Sequence, residues 1–125
     1  MFEKKLPPEA GSERAARHAV HAALSDHMPE ELVEDVELVM SELVANGIRH
    51  ARTDIEVHLY VQDRGQEIRV EVVDDEPGRV PKVLPLDQSG ESGRGLHLLA
   101  ALSESWGYEV DGPRKTVWST LRYKG

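Results

Sequence analysis

Three polar residues of different chemistry recur at steps of four in the first half of the chain, at Glu42, Asn46 and His50. Each step of four turns a helix by about 40° beyond a full turn, so the three side chains would lie along one edge of a helix. A carboxylate accepts a proton, an amide oxygen binds a hard cation without adding charge, and an imidazole donates to an anion. The same spacing also suits a solvated helix face, and this helix alone does not separate the two interpretations.

The helix that would carry these residues also has an apolar stripe at steps of three and four. Its members are Leu32, Val36, Val39, Leu43 and Gly47. Acidic residues crowd the first turns of this helix, and Arg49 and His50 end it, which is the arrangement that the helix dipole favours. The charge gradient explains His50 in purely structural terms and competes with a ligand-binding role for it.

A second motif, Gly93-Arg94-Gly95-Leu96, opens an apolar run with helical spacing. Glycines at such a place let backbone N–H groups approach an anion at the N-terminus of a helix. By itself, a pair of glycines is weak evidence for an anion-binding site. Together with the Glu-Asn-His helix earlier in the chain, it predicts a site that two separate segments build.

Composition limits the classes of function. The chain has 125 residues and a net charge of −8, with 23 acidic against 15 basic residues, a balance that disfavours nucleic acid and anionic membranes as partners. The absence of cysteine excludes disulfides, thiolate zinc sites and cysteine nucleophiles. No apolar run reaches the ~18 residues of a membrane span, and the N-terminal segment lacks the apolar core of a signal peptide. We therefore expect a cytoplasmic protein with no direct nucleic-acid or membrane partner.

Apolar patterning predicts the element order strand, helix, helix, hairpin, loop, helix, hairpin. Helices that cover one face of a mixed, mainly antiparallel sheet form a two-layer α/β sandwich of the α+β class. We expect one domain over residues 1–125, with Ser12 as the N-cap of the first helix. The loop at about 75–92 is rich in proline, glycine and charge, and we interpret it as a lid.

At this point the chain resembles a known family, the Bergerat-fold (GHKL) ATPases, and within it the small anti-sigma factor serine kinases. Residues 42–51 match the family's N box, and residues 70–74 end in its adenine-reading aspartate. Residues 93–96 match its second glycine box, and residues 115–118 match its closing strand. The resemblance covers nearly the whole chain and implies a Bergerat fold that binds ATP with Mg²⁺ between the N-box helix and the lid.

The resemblance also implies roles for individual residues. Glu42 would be the base that draws the proton from a serine hydroxyl, and Asn46 would hold the Mg²⁺. Asp74 would accept a hydrogen bond from the adenine amino group, with Thr116 in support. Each role has a structural alternative: Glu42 as a surface carboxylate, and Asp74 as a strand-end residue that caps the next turn.

The remaining predicted ATP-binding residues lie around the phosphates. Backbone N–H groups of Gly93, Gly95 and Leu96 would cradle the phosphates at a helix N-terminus. Arg94 would add charge-assisted bonds to the β- or γ-phosphate, or else point into solvent. His50 belongs to the same predicted set, subject to the structural alternative given above.

Two positions depart from the family pattern. The family's first glycine box reads Asp-x-Gly, whereas Asp74 is followed by an Asp-Glu-Pro run and the first glycine comes at Gly78. The family pattern therefore does not predict the geometry of the adenine pocket. Gly47 stands where alanine is common, which we expect to loosen the helix slightly.

The function implied by the resemblance is a regulatory protein-serine kinase that phosphorylates an anti-sigma factor antagonist and can also hold a sigma factor. Members of the family often dimerise, so a homodimer belongs to the same expectation. The alternative is a binding module that takes little or no nucleotide and regulates by sequestering a protein partner. A third hypothesis is the isolated ATPase module of a sensor histidine kinase, although no phosphoacceptor-histidine helix precedes the N box.

Overall fold

The elements of the chain follow the predicted order. This computed structural model describes residues 2–50, 53–76 and 98–123, and the statements below concern those ranges. The elements are β1 (Phe2–Leu6), α1 (Gly11–Leu24), α2 (Glu30–His50), β2 (Ile55–Gln62), a short 3₁₀ turn (Asp63–Gly65), β3 (Glu67–Asp74), a helical segment at 98–102, β4 (Ser105–Asp111) and β5 (Arg114–Arg122). Of the predicted lid at 75–92, residues 77–92 lie outside the described residues.

The five strands form one sheet with the order β1-β2-β3-β5-β4. Every pairing among them is antiparallel, which refines the predicted mixed sheet. The central strand β3 lies between β2 and β5, with Val72 opposite Val57 on one side and opposite Val117 on the other. The predicted α+β class is thereby confirmed.

One face of the sheet carries the core. Alternate residues of β2, β3 and β5 are buried against the two long helices, and the inward positions of β3 are Ile68, Val70 and Val72. Fully burying an aliphatic side chain of this kind contributes about 1.5–3 kcal/mol. A register slip of one residue would turn the whole apolar set outward, so the alternation fixes the pairing of these strands.

Helix α2 approaches strand β3 closely at Gly47. A Cβ atom built on Gly47 would lie 3.1 Å from Cγ1 of Val72, which is tighter than ordinary contact. From the sequence, we expected only a looser helix at this position. The structure gives a packing reason for glycine, since its missing side chain lets α2 lie against the strand that ends at Asp74.

Polar side chains cover the other face of the sheet. His58 Nδ1 lies 3.1 Å from a carboxylate oxygen of Glu71. The guanidinium of Arg69 lies 4.5 Å from the ring centroid of Trp118, and that of Arg114 pairs with Glu56. Cross-strand pairs of this kind stabilise a sheet face that no helix of the described residues covers.

The start of α1 differs from the prediction. Ala10 occupies the N-cap position and makes no side-chain cap, so the assignment of Ser12 as the N-cap was wrong. The Ser12 hydroxyl instead donates to the carbonyl oxygen of Pro7 at 2.6 Å. This bond ties the first turn of α1 to the segment that follows β1.

Candidate functional site

Glu42 is half-buried on α2, and a second carboxylate from α1 affects it. Burial raises the pKa of Glu42, the negative charge of Glu13 raises that pKa further, and Arg49 lowers it in part. Glu13 is held in place by the Ser41 hydroxyl, which donates to Oε1 of Glu13 at 2.5 Å. A carboxyl group with a raised pKa suits general-base work, because its protonated and ionised forms are closer in energy near neutral pH.

Asn46 lies one helical turn after Glu42 and is half-buried. Its amide carbonyl is a neutral, hard oxygen donor of the type that Mg²⁺ accepts beside phosphate oxygens and water. His50 is the last residue of α2, and its side chain lies outside the described residues. Of the predicted Glu42, Asn46 and His50 set, the structure therefore describes the side chains of Glu42 and Asn46.

Asp74 ends β3, and its side chain is only 3% exposed. Oδ1 accepts a hydrogen bond from the backbone N–H of Glu76 at 2.9 Å, as a strand-end aspartate that caps a turn would do. Burial raises the pKa of Asp74, while the Glu76 N–H and the Lys115 ammonium act in the opposite direction. Each oxygen of a carboxylate has more than one lone pair, so an oxygen that already has one partner can accept a further hydrogen bond.

Lys115, and not Thr116, lies beside Asp74. The β3–β5 register pairs Asp74 with Lys115, and Val73 with Thr116. Nζ of Lys115 lies 3.4 Å from Oδ2 of Asp74, and the lysine side chain is 2% exposed. Successive side chains of a strand point to opposite faces, so Thr116 belongs to the face away from Asp74. The position that the sequence analysis gave to Thr116 is therefore occupied by Lys115.

Two residues of this site were missed by sequence reasoning. Lys115 shares its strand face with the buried residues Val117 and Leu121, and a lysine at such a position signals a buried partner. Glu13 carries no comparable local signal, because it meets Glu42 only through the packing of α1 on α2. The phosphate-binding residues predicted at Gly93, Arg94, Gly95 and Leu96 lie outside the described residues.

Two broader features of the described residues bear on function. None of the helices there is long and apolar enough to cross a membrane. Nor do residues 2–50, 53–76 and 98–123 contain a group of three or more histidine or carboxylate side chains placed to hold a metal ion.

The fold and these residues agree with a match to a known family. The family model described as "Histidine kinase-like ATPase domain" matches residues 6–121. Because the match extends over most of the chain, this protein belongs to the histidine kinase-like ATPase family. The resemblance to Bergerat-fold ATPases, which rested on four short motifs, is confirmed.

Two curated relatives are similar to part of the chain. The serine-protein kinase RsbW of Oceanobacillus iheyensis is 27% identical, over 59% of this chain and 56% of the relative. An uncharacterised protein of Streptomyces coelicolor is 42% identical, over 62% of this chain and 76% of that protein. The chain thus spans little more than half the length of the RsbW relative, and the activity of that protein is not carried over by the match alone.

Solved structures agree on the fold. The RsbU and RsbW domains of Rv1364c from Mycobacterium tuberculosis match with a TM-score of 0.73 and 19% identity, over 97% of this chain and 32% of the other. The histidine kinase domain of the Erythrobacter litoralis EL346 blue-light activated histidine kinase matches with a TM-score of 0.56 and 18% identity, over 94% of this chain and 61% of that one. At these identities the matches show a shared fold.

Proposed function

We propose that this protein is a cytoplasmic, ATP-dependent regulatory protein-serine kinase that phosphorylates an anti-sigma factor antagonist and can also sequester a sigma factor. The observation that supports it most is the placement of Glu42. This carboxyl group has a raised pKa, lies one turn before Asn46, and sits on a helix packed against the strand that ends at Asp74. Family membership and the RsbW relative support the same reaction class.

In the proposed reaction each described residue has one task. Asp74 accepts a hydrogen bond from the adenine amino group, and Asn46 is the protein ligand of Mg²⁺. Bound Mg²⁺ neutralises charge on the phosphate oxygens. The substrate serine oxygen forms a bond to the γ-phosphorus while the bond to the β–γ bridging oxygen breaks, ADP departs, and the serine proton passes to Glu42.

The second candidate function is a module that sequesters its partner with little or no nucleotide. One observation favours it, because both oxygens of Asp74 have partners in the structure, the Glu76 N–H and the Lys115 ammonium. The departure from the family's first glycine box points the same way. On this account the ATPase fold serves as a scaffold, and the surface of the protein does the regulatory work.

Transfer of radiolabelled phosphate from ATP to candidate antagonist proteins of the same organism tests the proposal. We expect the wild type to label one antagonist on serine, and Glu42→Gln to label it at least a hundredfold more slowly, since a positioned base contributes about 10²–10⁴-fold. Glu34→Gln is the matched control, because Glu34 is an exposed glutamate on the same helix, and it should retain wild-type transfer. No transfer to any antagonist at high enzyme concentration would favour the sequestering module.

A further inference from the structure

A cleft lies at the opposite end of α2 from the candidate functional site. It has a volume of about 570 Å³ and is lined by the first turns of α2, the end of the helical segment at 98–102 and the last residues of β5. The rise from Asp35 in this cleft to Asn46 is about 16 Å, at about 1.5 Å per residue of α2. Leu121 in the cleft lies about 20 Å along β5 from Lys115, at about 3.4 Å per residue. The cleft is therefore separate from the proposed nucleotide site.

The floor of the cleft is apolar. Leu121 is only 2% exposed and belongs to the core, and Leu32 and Leu102 pack against that core while they stay half-buried. The volume of the cleft is within the range of about 300–1,000 Å³ that is usual for binding pockets. The floor therefore suits an apolar side chain of a binding partner.

The wall that α2 provides is acidic. Glu31 and Asp35 are one helical turn apart, and within residues 2–50, 53–76 and 98–123 neither forms an ion pair. The helix dipole favours Glu31 in the first turn of α2, but this effect does not extend to Asp35 one turn later. Partial burial and the charge of Glu31 both raise the pKa of Asp35, because two like charges at this spacing repel each other.

The basic side chain of the cleft is already engaged. Arg122 is the one basic residue among the described residues that line the cleft. Its Nε lies 2.8 Å from Oε2 of Glu104, and its Nη1 lies 2.8 Å from Oδ2 of Asp63. These contacts hold Arg122 on the β5 side and leave the two carboxylates of α2 without a complementary cation from the described residues.

We propose that this cleft is a docking site for a segment of a partner protein that presents an arginine or lysine beside an aliphatic side chain. The cation pairs with Glu31 and Asp35, and the aliphatic side chain lies on the apolar floor. Charge complementarity selects this occupant, because an acidic segment is repelled and a purely apolar one leaves two covered carboxylates unpaired. A second copy of this chain, with a net charge of −8, is a poorer match. The inference goes beyond the proposed function, since it assigns a protein-binding surface that no nucleotide contact requires.

Two capped tripeptides that differ in charge test the docking site. Acetyl-Leu-Arg-Leu-amide carries the proposed chemistry, and the same peptide with citrulline in place of arginine has nearly the same shape without the charge. In a ¹H–¹⁵N NMR titration of the nucleotide-free protein, the arginine peptide should cause saturable shifts at the cleft residues, with a dissociation constant on the order of 1 mM. The citrulline peptide should bind about threefold to tenfold more weakly, because it lacks a partly exposed ion pair.

The variant Glu31→Gln/Asp35→Asn should bind the arginine peptide only as well as the citrulline peptide. This variant should fold, because the substitutions remove two charges that repel each other and break no ion pair of the described residues. The matched control is Glu30→Gln/Glu34→Gln, which removes the same charge at the same spacing of α2 from residues that line a different cleft. The control should keep the wild-type preference for the arginine peptide.

Three outcomes would each overturn the docking site. They are no saturable shift at the cleft residues with the arginine peptide up to about 10 mM, equal affinities of the wild type for the two peptides, and a preference that survives in Glu31→Gln/Asp35→Asn. None of these outcomes bears on ATP binding or on phosphate transfer, so the kinase proposal stands or fails by its own test.

Discussion

At the scale of single residues, the chemistry of the site depends on carboxylates whose surroundings differ. Glu42 is half-buried and is affected by the negative charge of Glu13, whereas Asp74 is buried beside the cation of Lys115. Burial raises the pKa of both groups, but only Asp74 has a buried cation to compensate. The two carboxylates thus suit different tasks, with Glu42 as a proton acceptor and Asp74 as a fixed hydrogen-bond acceptor.

The first residue-scale prediction concerns Glu13. Glu13→Gln removes a negative charge near Glu42 and keeps an oxygen that can accept from Ser41, so the pKa of Glu42 should fall. Carbon-detected NMR titration of the Glu42 carboxyl measures this directly. A base works in its ionised form, so the acid limb of the kinase pH–rate profile should move to lower pH in the variant.

Glu34→Gln is the control for this titration, because Glu34 is exposed on α2, and it should leave the pKa of Glu42 unchanged. An unchanged Glu42 pKa in Glu13→Gln would show that Glu13 does not act on the base.

The second residue-scale prediction concerns stability and its pH dependence. Lys115→Met leaves the Asp74 carboxylate buried without its cation, so the free energy of unfolding should fall by about 3–5 kcal/mol at neutral pH. Burial raises the pKa of Asp74 in the folded protein above its value in the unfolded chain. The contribution of Asp74 to the free energy of unfolding therefore declines as pH rises through the pKa of the folded protein. Loss of the ammonium raises the pKa further, and the deficit of the variant should grow from acidic to neutral pH.

Urea unfolding at several pH values measures this effect. The double variant Asp74→Asn/Lys115→Met has no buried charge at the site and should recover most of the loss. A deficit that is independent of pH would contradict the assignment of the loss to an unpaired carboxylate.

At the scale of elements, the site depends on how closely α2 lies on β3. Gly47 brings the helix against Val72, two residues before Asp74, and so sets where Asn46 stands relative to the end of the strand. The elements themselves were predictable, because apolar spacing is a local property of the sequence. The residue that lies beside Asp74 was not predictable, because the register between β3 and β5 joins strands that are far apart in the chain. A register shift of one residue decides whether Lys115 or Thr116 lies opposite Asp74.

The element-scale prediction is that Gly47→Val lowers the free energy of unfolding by about 1–3 kcal/mol, the usual cost of overpacking a core. The added side chain has no room between α2 and Val72. Gly11→Val is the control, because a Cβ at Gly11 would meet nothing within 4 Å, and it should change stability little. Equal urea midpoints for Gly47→Val and wild type would contradict the close approach of α2 to β3.

At the scale of the whole molecule, a layer of helices packs on one face of an antiparallel sheet, and the proposed activity depends on residues of α2 and of the end of β3. The sequence predicted the fold, the element order and the positions of Glu42, Asn46 and Asp74 on their elements. It could not predict contacts between distant segments, such as the hydrogen bond from Ser41 of α2 to Glu13 of α1. The single domain over 1–125, a homodimer and the phosphate-binding role of residues 93–96 stay predictions.

The molecule-scale prediction concerns metal removal. Because the proposed Mg²⁺ site combines Asn46 with phosphate oxygens, chelation should weaken ATP binding and leave the melting temperature of the nucleotide-free protein unchanged. Saturation with Mg·ATP at 100 times its dissociation constant should stabilise the fold by about 2.7 kcal/mol. Thermal melts with and without chelator measure both effects, and a lower melting temperature of the nucleotide-free protein in chelator would point to a metal bound by protein ligands alone.

The most direct test of the account is a calorimetric titration of Mg·ATP into the wild type and Asn46→Ala. We expect saturable binding of one nucleotide to the wild type and at least a tenfold weaker affinity in the variant, the equivalent of about 1.4 kcal/mol. Ala45→Ser, a small polar change at the neighbouring position of α2, should bind as the wild type does. Absence of binding to the wild type at millimolar ATP, or equal affinities for wild type and Asn46→Ala, would contradict the account.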